Sequence, residues 1–149
     1  MRAAGIARRA AEWYNYHIGQ TEGGAAVEKP FRVQASLRLV REDKLFGPGA
    51  AQLLAGVDEL GSLRKSAARM EMSYNKAWSV IRSCEEQLGF ALLERRIGGA
   101  GGGGAALTDQ GRELLRRYRA FDREAHAALD RLAQEHFAGL LDRTGEEKA

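Results

Sequence analysis

Two stretches constrain this chain more than any others. One is Ser73-Tyr74-Asn75-Lys76-Ala77-Trp78. The other follows a helix later, Gly98-Gly99-Ala100-Gly101-Gly102-Gly103-Gly104-Ala105-Ala106-Leu107-Thr108. Ser73 is a strong N-cap, because its hydroxyl oxygen can accept from an amide of the first helical turn. Ala77, Ile81, Cys84 and Leu88 then recur at helical spacing, which predicts a helix to about Leu88 with Gly89 as its stop. Upstream, Ser62 caps a shorter helix to about Met70, and Glu71-Met72 make the turn between them. A short helix, a tight turn and a second capped helix form a helix-turn-helix. The glycine run lies between Leu92-Leu93 and Ala105–Leu107, two short apolar segments. That pattern predicts a hairpin whose tip is almost all glycine.

The flanking sequence extends this frame. From Phe31 to Arg41, Val33, Ala35, Leu37 and Leu39 alternate with Arg32, Gln34, Ser36 and Arg38, which predicts a half-buried strand entered at Pro30. Gly47-Pro48-Gly49 opens a helix whose stripe is Leu53, Leu54, Val57 and Leu60, and Gly61 ends it. Thr108 caps the last helix, with Asp109 at its positive end. There Leu114, Tyr118, Phe121, Ala125, Leu129, Leu132, His136 and Leu140 repeat every three or four residues. A helix from Asp109 to Leu141 runs roughly 50 Å, more than a compact domain covers. A second copy of the same helix would close the stripe as a coiled coil.

The expected fold class is therefore mainly α with a small β wing, a winged helix-turn-helix plus a long C-terminal dimerisation helix. The winged domain is expected at 30–108. The long helix is expected at 109–141, with Leu114, Tyr118, Phe121, Ala125, Leu129 and Leu132 as its homodimer seam. Residues 1–29, which carry Arg8, Arg9, Trp13, Tyr14 and Tyr16, read as a poorly ordered extension, and 142–149 as a tail.

Composition narrows the function classes. The net charge of +3 permits a polyanionic partner without demanding one. No apolar run reaches the roughly 20 residues of a membrane span. Arg2, Arg8 and Arg9 are followed by no apolar signal core, so the cytoplasm is the expected location. The single cysteine, Cys84, reads as a buried core residue. The glycine run lacks the Gly-Lys-Ser/Thr ending of a phosphate-binding loop. His17, His126 and His136 are not spaced as metal ligands, and no catalytic set of residues is present. No enzyme activity, cofactor or metal is expected.

The second helix of the pair has the two faces a recognition helix needs. Opposite its core face lie Tyr74, Asn75, Trp78, Ser79 and Arg82, with Lys76 beside the tip. Asn can pair bidentately with adenine and Arg with guanine in the major groove. Lys76 and the helix N-terminus suit phosphates. Trp78 serves either packing against the preceding helix or contact with a thymine methyl, packing being favoured. Arg95 and Arg96 lead into the wing, where cations meet the minor groove or its phosphates, and Glu94 is placed to pair with one of them. Arg64, Lys65 and Arg69 read equally as phosphate positioners or as solvated cations. Double-stranded DNA is the expected partner. A protein-interaction module and a small oxyanion-binding protein that uses the glycine loop are the rival readings.

From about Phe31 to Leu132 the element order resembles the DNA-binding half of the ModE molybdate-responsive regulators. The resemblance rests on Gly61-Ser62, Ser73-Tyr74, Ala77-Trp78, Gly98-Gly99, Gly101 to Ala105, Leu107-Thr108 and Gly111. A wider likeness to LysR-type winged helices shows in Glu85-Glu86-Gln87-Leu88-Gly89 and Leu92-Leu93-Glu94-Arg95. It implies a dimeric winged helix-turn-helix regulator of molybdate uptake or molybdoenzyme genes. The recognition-helix role falls to Ser73, Tyr74, Lys76 and Ser79, and the wing role to Arg95 and Arg96. Asn75 stands where such proteins often have Lys, and Glu71 where Gly is common, so that turn is expected to be built differently. Full-length members continue into molybdate-binding domains. Nothing in these 149 residues resembles them, so the expectation is DNA binding that is constitutive or governed by a separate sensor protein.

Overall fold

The computed structural model describes residues 31–97 and 104–141. The extension at 1–29, the tip of the glycine hairpin and the tail at 142–149 lie outside the described residues. The elements are β1 (Leu39–Val40), β2 (Lys44–Phe46), α1 (Pro48–Leu60), α2 (Leu63–Arg69), α3 (Tyr74–Leu88), β3 (Leu93–Arg96), β4 (Gly104–Leu107) and α4 (Asp109–Phe137). Two compact units are present. One holds residues 36–120; the other, among the described residues, holds 31–35 and 121–141. The division falls inside the long helix rather than at its start.

The larger unit is a winged helix-turn-helix. The apolar stripe of α1 supplies Leu53, Leu54 and Val57, which meet Phe46, Ile81 and Leu92 in a core shielded from water. Pro48 occupies the first turn of α1, and Gly61 ends that helix at φ 66°, a backbone conformation glycine adopts without steric cost. α1 and α2 approach so closely that Gly56 has no room for a side chain. A Cβ there would collide with Ser66 Oγ and come within 2.8 Å of Ser66 Cβ. Ser66, fully buried, donates its hydroxyl to Leu53 O at 2.9 Å. The start of α4 belongs to this core as well. Leu115 and Tyr118 are each 3% exposed, the Tyr118 ring meets Phe46 edge-on at 5.1 Å, and its hydroxyl donates to Leu37 O at 2.9 Å.

The strand expected over Phe31–Arg41 is corrected by the structure. Only Leu39–Val40 forms a ladder, paired antiparallel with β2. Residues 31–38 keep the alternation of half-buried and exposed positions but have no strand partner among the described residues. In the smaller unit their backbone polar groups are met by side chains of α4 instead. His126 Nε2 lies 3.1 Å from Ala35 O, Val33 N donates to Asp130 Oδ1 at 2.7 Å, and Gln134 Nε2 donates to Phe31 O at 3.4 Å. Two residues of extended chain advance about 6.6 Å and four of helix about 6 Å, so the two periods match rung for rung. A period of two reports extended backbone with one covered side, and that side is covered by a helix. His126 is 3% exposed, with Nδ1 2.8 Å from Asp122 O and 3.4 Å from Asp122 Oδ1. Burial pushes the Asp122 carboxyl above the usual carboxylate range, and His126 and then Arg123 oppose that.

Candidate nucleic-acid interface

The helix-turn-helix is built by its caps. Ser62 Oγ accepts from Lys65 N at 3.2 Å and opens α2. Ser73 Oγ accepts from Lys76 N at 3.1 Å and opens α3. Between them Met72 N donates to Ala67 O at 2.9 Å, and Glu71 takes a left-handed φ of 54°. The turn thus has the backbone conformation that glycine supplies most cheaply, adopted here by glutamate. Ala77, Ile81 and Cys84 bury one face of α3. Burial pushes the Cys84 thiol up, and Lys44 opposes it.

The opposite face of α3 is open. Asn75, Lys76, Ser79 and Arg82 are exposed, and Tyr74 and Trp78 are half-buried. The Tyr74 ring has Arg64 stacked over it at 4.3 Å and meets Trp78 edge-on, with ring centroids 6.3 Å apart. Arg64 therefore acts partly as a clamp on the helix tip, a role the sequence did not reveal. Trp78 packs along Tyr74 and still lines the open surface between Asn75, Ser79, Arg82, Ser83 and Glu86. Ser73 is committed as the cap of α3.

The wing is fixed at three points. β3 and β4 pair antiparallel in the register Leu93↔Leu107 to Arg96↔Gly104. Ala105 N donates to Gly61 O at 2.9 Å, which seats β4 on the end of α1. A Cβ on Gly104 would strike that same carbonyl, so the glycine permits the docking. Glu85, in the last turn of α3, accepts from Leu92 N at 2.7 Å and Leu93 N at 3.3 Å through Oε1. Thr108 closes the base: its amide donates to Leu92 O at 3.0 Å, its hydroxyl donates to Ala91 O at 2.7 Å and accepts from Gly111 N at 3.0 Å. The fix by Glu85 is invisible to periodicity, because it pairs a helix carboxylate with amides beyond the helix stop.

Several cations of this unit are neutralised. Arg69 pairs with Glu59 and Arg112 with Asp58, each at 2.7 Å, and Glu113 holds Arg116 and Arg117. The two arginines draw the exposed Glu113 carboxyl down to about 2. Lys76, Arg82, Arg95 and Arg96 have no acidic partner among the described residues, and Glu94 reaches neither wing arginine. Among the described residues, four cations without an acidic partner thus share the surface made by α3 and the wing.

A model of bacterial regulatory helix-turn-helix proteins of the lysR family matches residues 49–112. Over those residues the chain is similar to LysR-type helix-turn-helix proteins, and it is similar to ModE regulators over a longer stretch. It is 37% identical over 83 residues to the molybdenum transport protein ModE of Azotobacter vinelandii, covering 56% of this chain and 31% of that one. It is 34% identical over 100 residues to the DNA-binding transcriptional dual regulator ModE of Escherichia coli K12, covering 66% of this chain and 38% of that one. A third relative is the molybdenum-pterin-binding protein MopB of Rhodobacter capsulatus, 31% identical over 84 residues. The chain thus spans about a third of the length of these relatives.

Of the six positions expected at a dimer seam, Leu114 and Tyr118 are taken up by their own winged domain. The heptad spacing merged two faces of α4, and the inner one packs against its own chain. Phe121 and Leu132 are 46% and 49% exposed, while Ala125 and Leu129 are half-buried. Among the described residues no helix is long and apolar enough to cross a membrane, and no cluster of His, Cys, Asp and Glu is suited to a metal.

Proposed function

We propose that this chain is the DNA-binding part of a cytoplasmic transcription regulator of molybdate transport or molybdoenzyme genes. It acts as a homodimer and has no catalytic role. The observation that supports this best is a set of four cations, Lys76, Arg82, Arg95 and Arg96, without acidic partners among the described residues and gathered on a capped recognition helix and its wing. Such a surface is well suited to phosphates. Asn75 and Ser79, exposed near the tip of α3, are placed to read base edges. The names of the ModE relatives support the molybdenum link. A second copy covers the outer seam of Phe121, Ala125, Leu129 and Leu132 and sets two recognition helices about one turn of DNA apart.

Selection from a randomised duplex library tests the proposal. The expected result is enrichment of a roughly palindromic site, with affinity falling steeply as salt rises. Neutralising Lys76, Arg82, Arg95 and Arg96 together is expected to abolish binding while the dimer survives. Retained partner binding with no enriched DNA at any salt would favour the protein-interaction reading instead.

A further inference from the structure

A groove of about 380 Å³ separates the recognition helix from the wing, lined by Trp78, Arg82, Glu85 and Arg95. Its two arginines belong to different elements, α3 and β3, and neither is paired with an acid among the described residues. The one carboxylate in the groove, Glu85, is committed through Oε1 to the amides of Leu92 and Leu93. Trp78 supplies a flat apolar wall.

Resting on the DNA-binding reading, the geometry points to this groove as the seat of a single sugar–phosphate strand, with Arg82 and Arg95 clamping its phosphate from opposite sides. Arg82 then holds the backbone and does not read a guanine. Major and minor grooves are divided by one sugar–phosphate strand. A helix in the first and a wing over the second must straddle that strand. The space between α3 and β3 is therefore where it passes, and guanidinium forks there match phosphate oxygens bidentately.

Position along the helix agrees. Recognition helices touch base edges chiefly with their N-terminal residues. Arg82 lies nine residues beyond the N-cap Ser73, roughly 13 Å along the axis, on the side shared with Arg95. Base reading then falls to Asn75 and Ser79 nearer the tip. The indole of Trp78 meets the deoxyribose between the two arginines. The committed oxygen of Glu85 holds the wing at a fixed distance from α3, which sets the width of the clamp.

Base reader and clamp leave different signatures. Arg82→Ala and Arg95→Ala, each with an unchanged circular dichroism spectrum, are taken through library selection and then salt titration on the site enriched by the wild type. The clamp predicts the same consensus for both variants as for the wild type. Each variant weakens binding to all sequences alike, and the plot of log affinity against log salt becomes shallower by about 0.9 for a lost phosphate contact. Because both arginines hold one phosphate, the double variant loses less than the product of the two single effects. An Arg82→Ala protein whose consensus relaxes at one base pair while its salt slope stays put would overturn the clamp and leave the regulator reading standing. A wild-type protein that enriches no site would refute the regulator reading itself, and the clamp with it.

Discussion

Removing the acceptor that anchors the wing, by Glu85→Ala, gives the clearest link between fold and function. Glu85 Oε1 receives Leu92 N at 2.7 Å and Leu93 N at 3.3 Å, and Leu92 is fully buried. Without the carboxylate the Leu92 amide has no acceptor in a place that water does not reach. An unsatisfied buried donor costs about 1–3 kcal/mol, and the lost bond is charge-assisted. A loss of about 2 kcal/mol is therefore expected, which for a unit of this size lowers Tm by roughly 8–16 °C. Glu85→Gln keeps an oxygen in the same place and should lose about 1 kcal/mol or less. Thermal and urea denaturation of the two variants side by side measure the difference. DNA titration adds a second readout, since a wing released from α3 should weaken binding and flatten the salt slope in Glu85→Ala alone. Equal stability of the two variants, or Glu85→Ala within about 0.5 kcal/mol of the wild type, would refute the reasoning.

The same substitution at two glycines of α1 should have opposite effects. Gly56→Ala is expected to destabilise by about 1–3 kcal/mol, because the methyl drives α1 from Ser66. Gly49→Ala, which meets nothing within 4 Å, should be neutral or stabilise by up to about 1 kcal/mol, both by urea denaturation. Asp122 has a raised carboxyl, so its contribution is fully present below the unfolded value near pH 4 and is lost as pH rises through the folded one. Asp122→Asn should therefore be the more stable protein at pH 7, and this advantage should close towards pH 3 in parallel melts; a gap that widens on acidification would contradict the assignment. Leu132→Asp, at a position 49% exposed, should convert the dimer to monomer in sedimentation equilibrium without lowering the helix content of the winged domain, whereas an unchanged dimer would move the seam elsewhere.

Much of the winged domain could be read in advance because its signals are local. Ser62, Ser73 and Thr108 cap helices, Gly61 and Gly89 stop them, and the glycine run marks a hairpin. Each needs only a few neighbouring residues. At 31–38 alternation predicts a strand where the chain is only extended, because alternation measures a covered side and is blind to what covers it. Spacing alone puts Tyr118 on an outer seam, because a repeat of three and four residues describes a stripe, and the inner and outer stripes of α4 overlap in sequence. β2 is three residues long and offers no pattern. In the candidate interface, residue types and the helix face were legible. The stacking of Arg64 on Tyr74 and the grip of Glu85 on the wing were not, since both join elements through side chains whose meeting depends on the fold.

The central claim is that α3 and the wing, doubled by a second copy, meet one duplex. Hydroxyl-radical footprinting on the site enriched from the library measures this most directly. The account predicts two protected backbone patches on one face of the DNA, about 10 base pairs apart, both lost when Lys76, Arg82, Arg95 and Arg96 are neutralised. A single protected patch, or protection that survives that neutralisation, would contradict it.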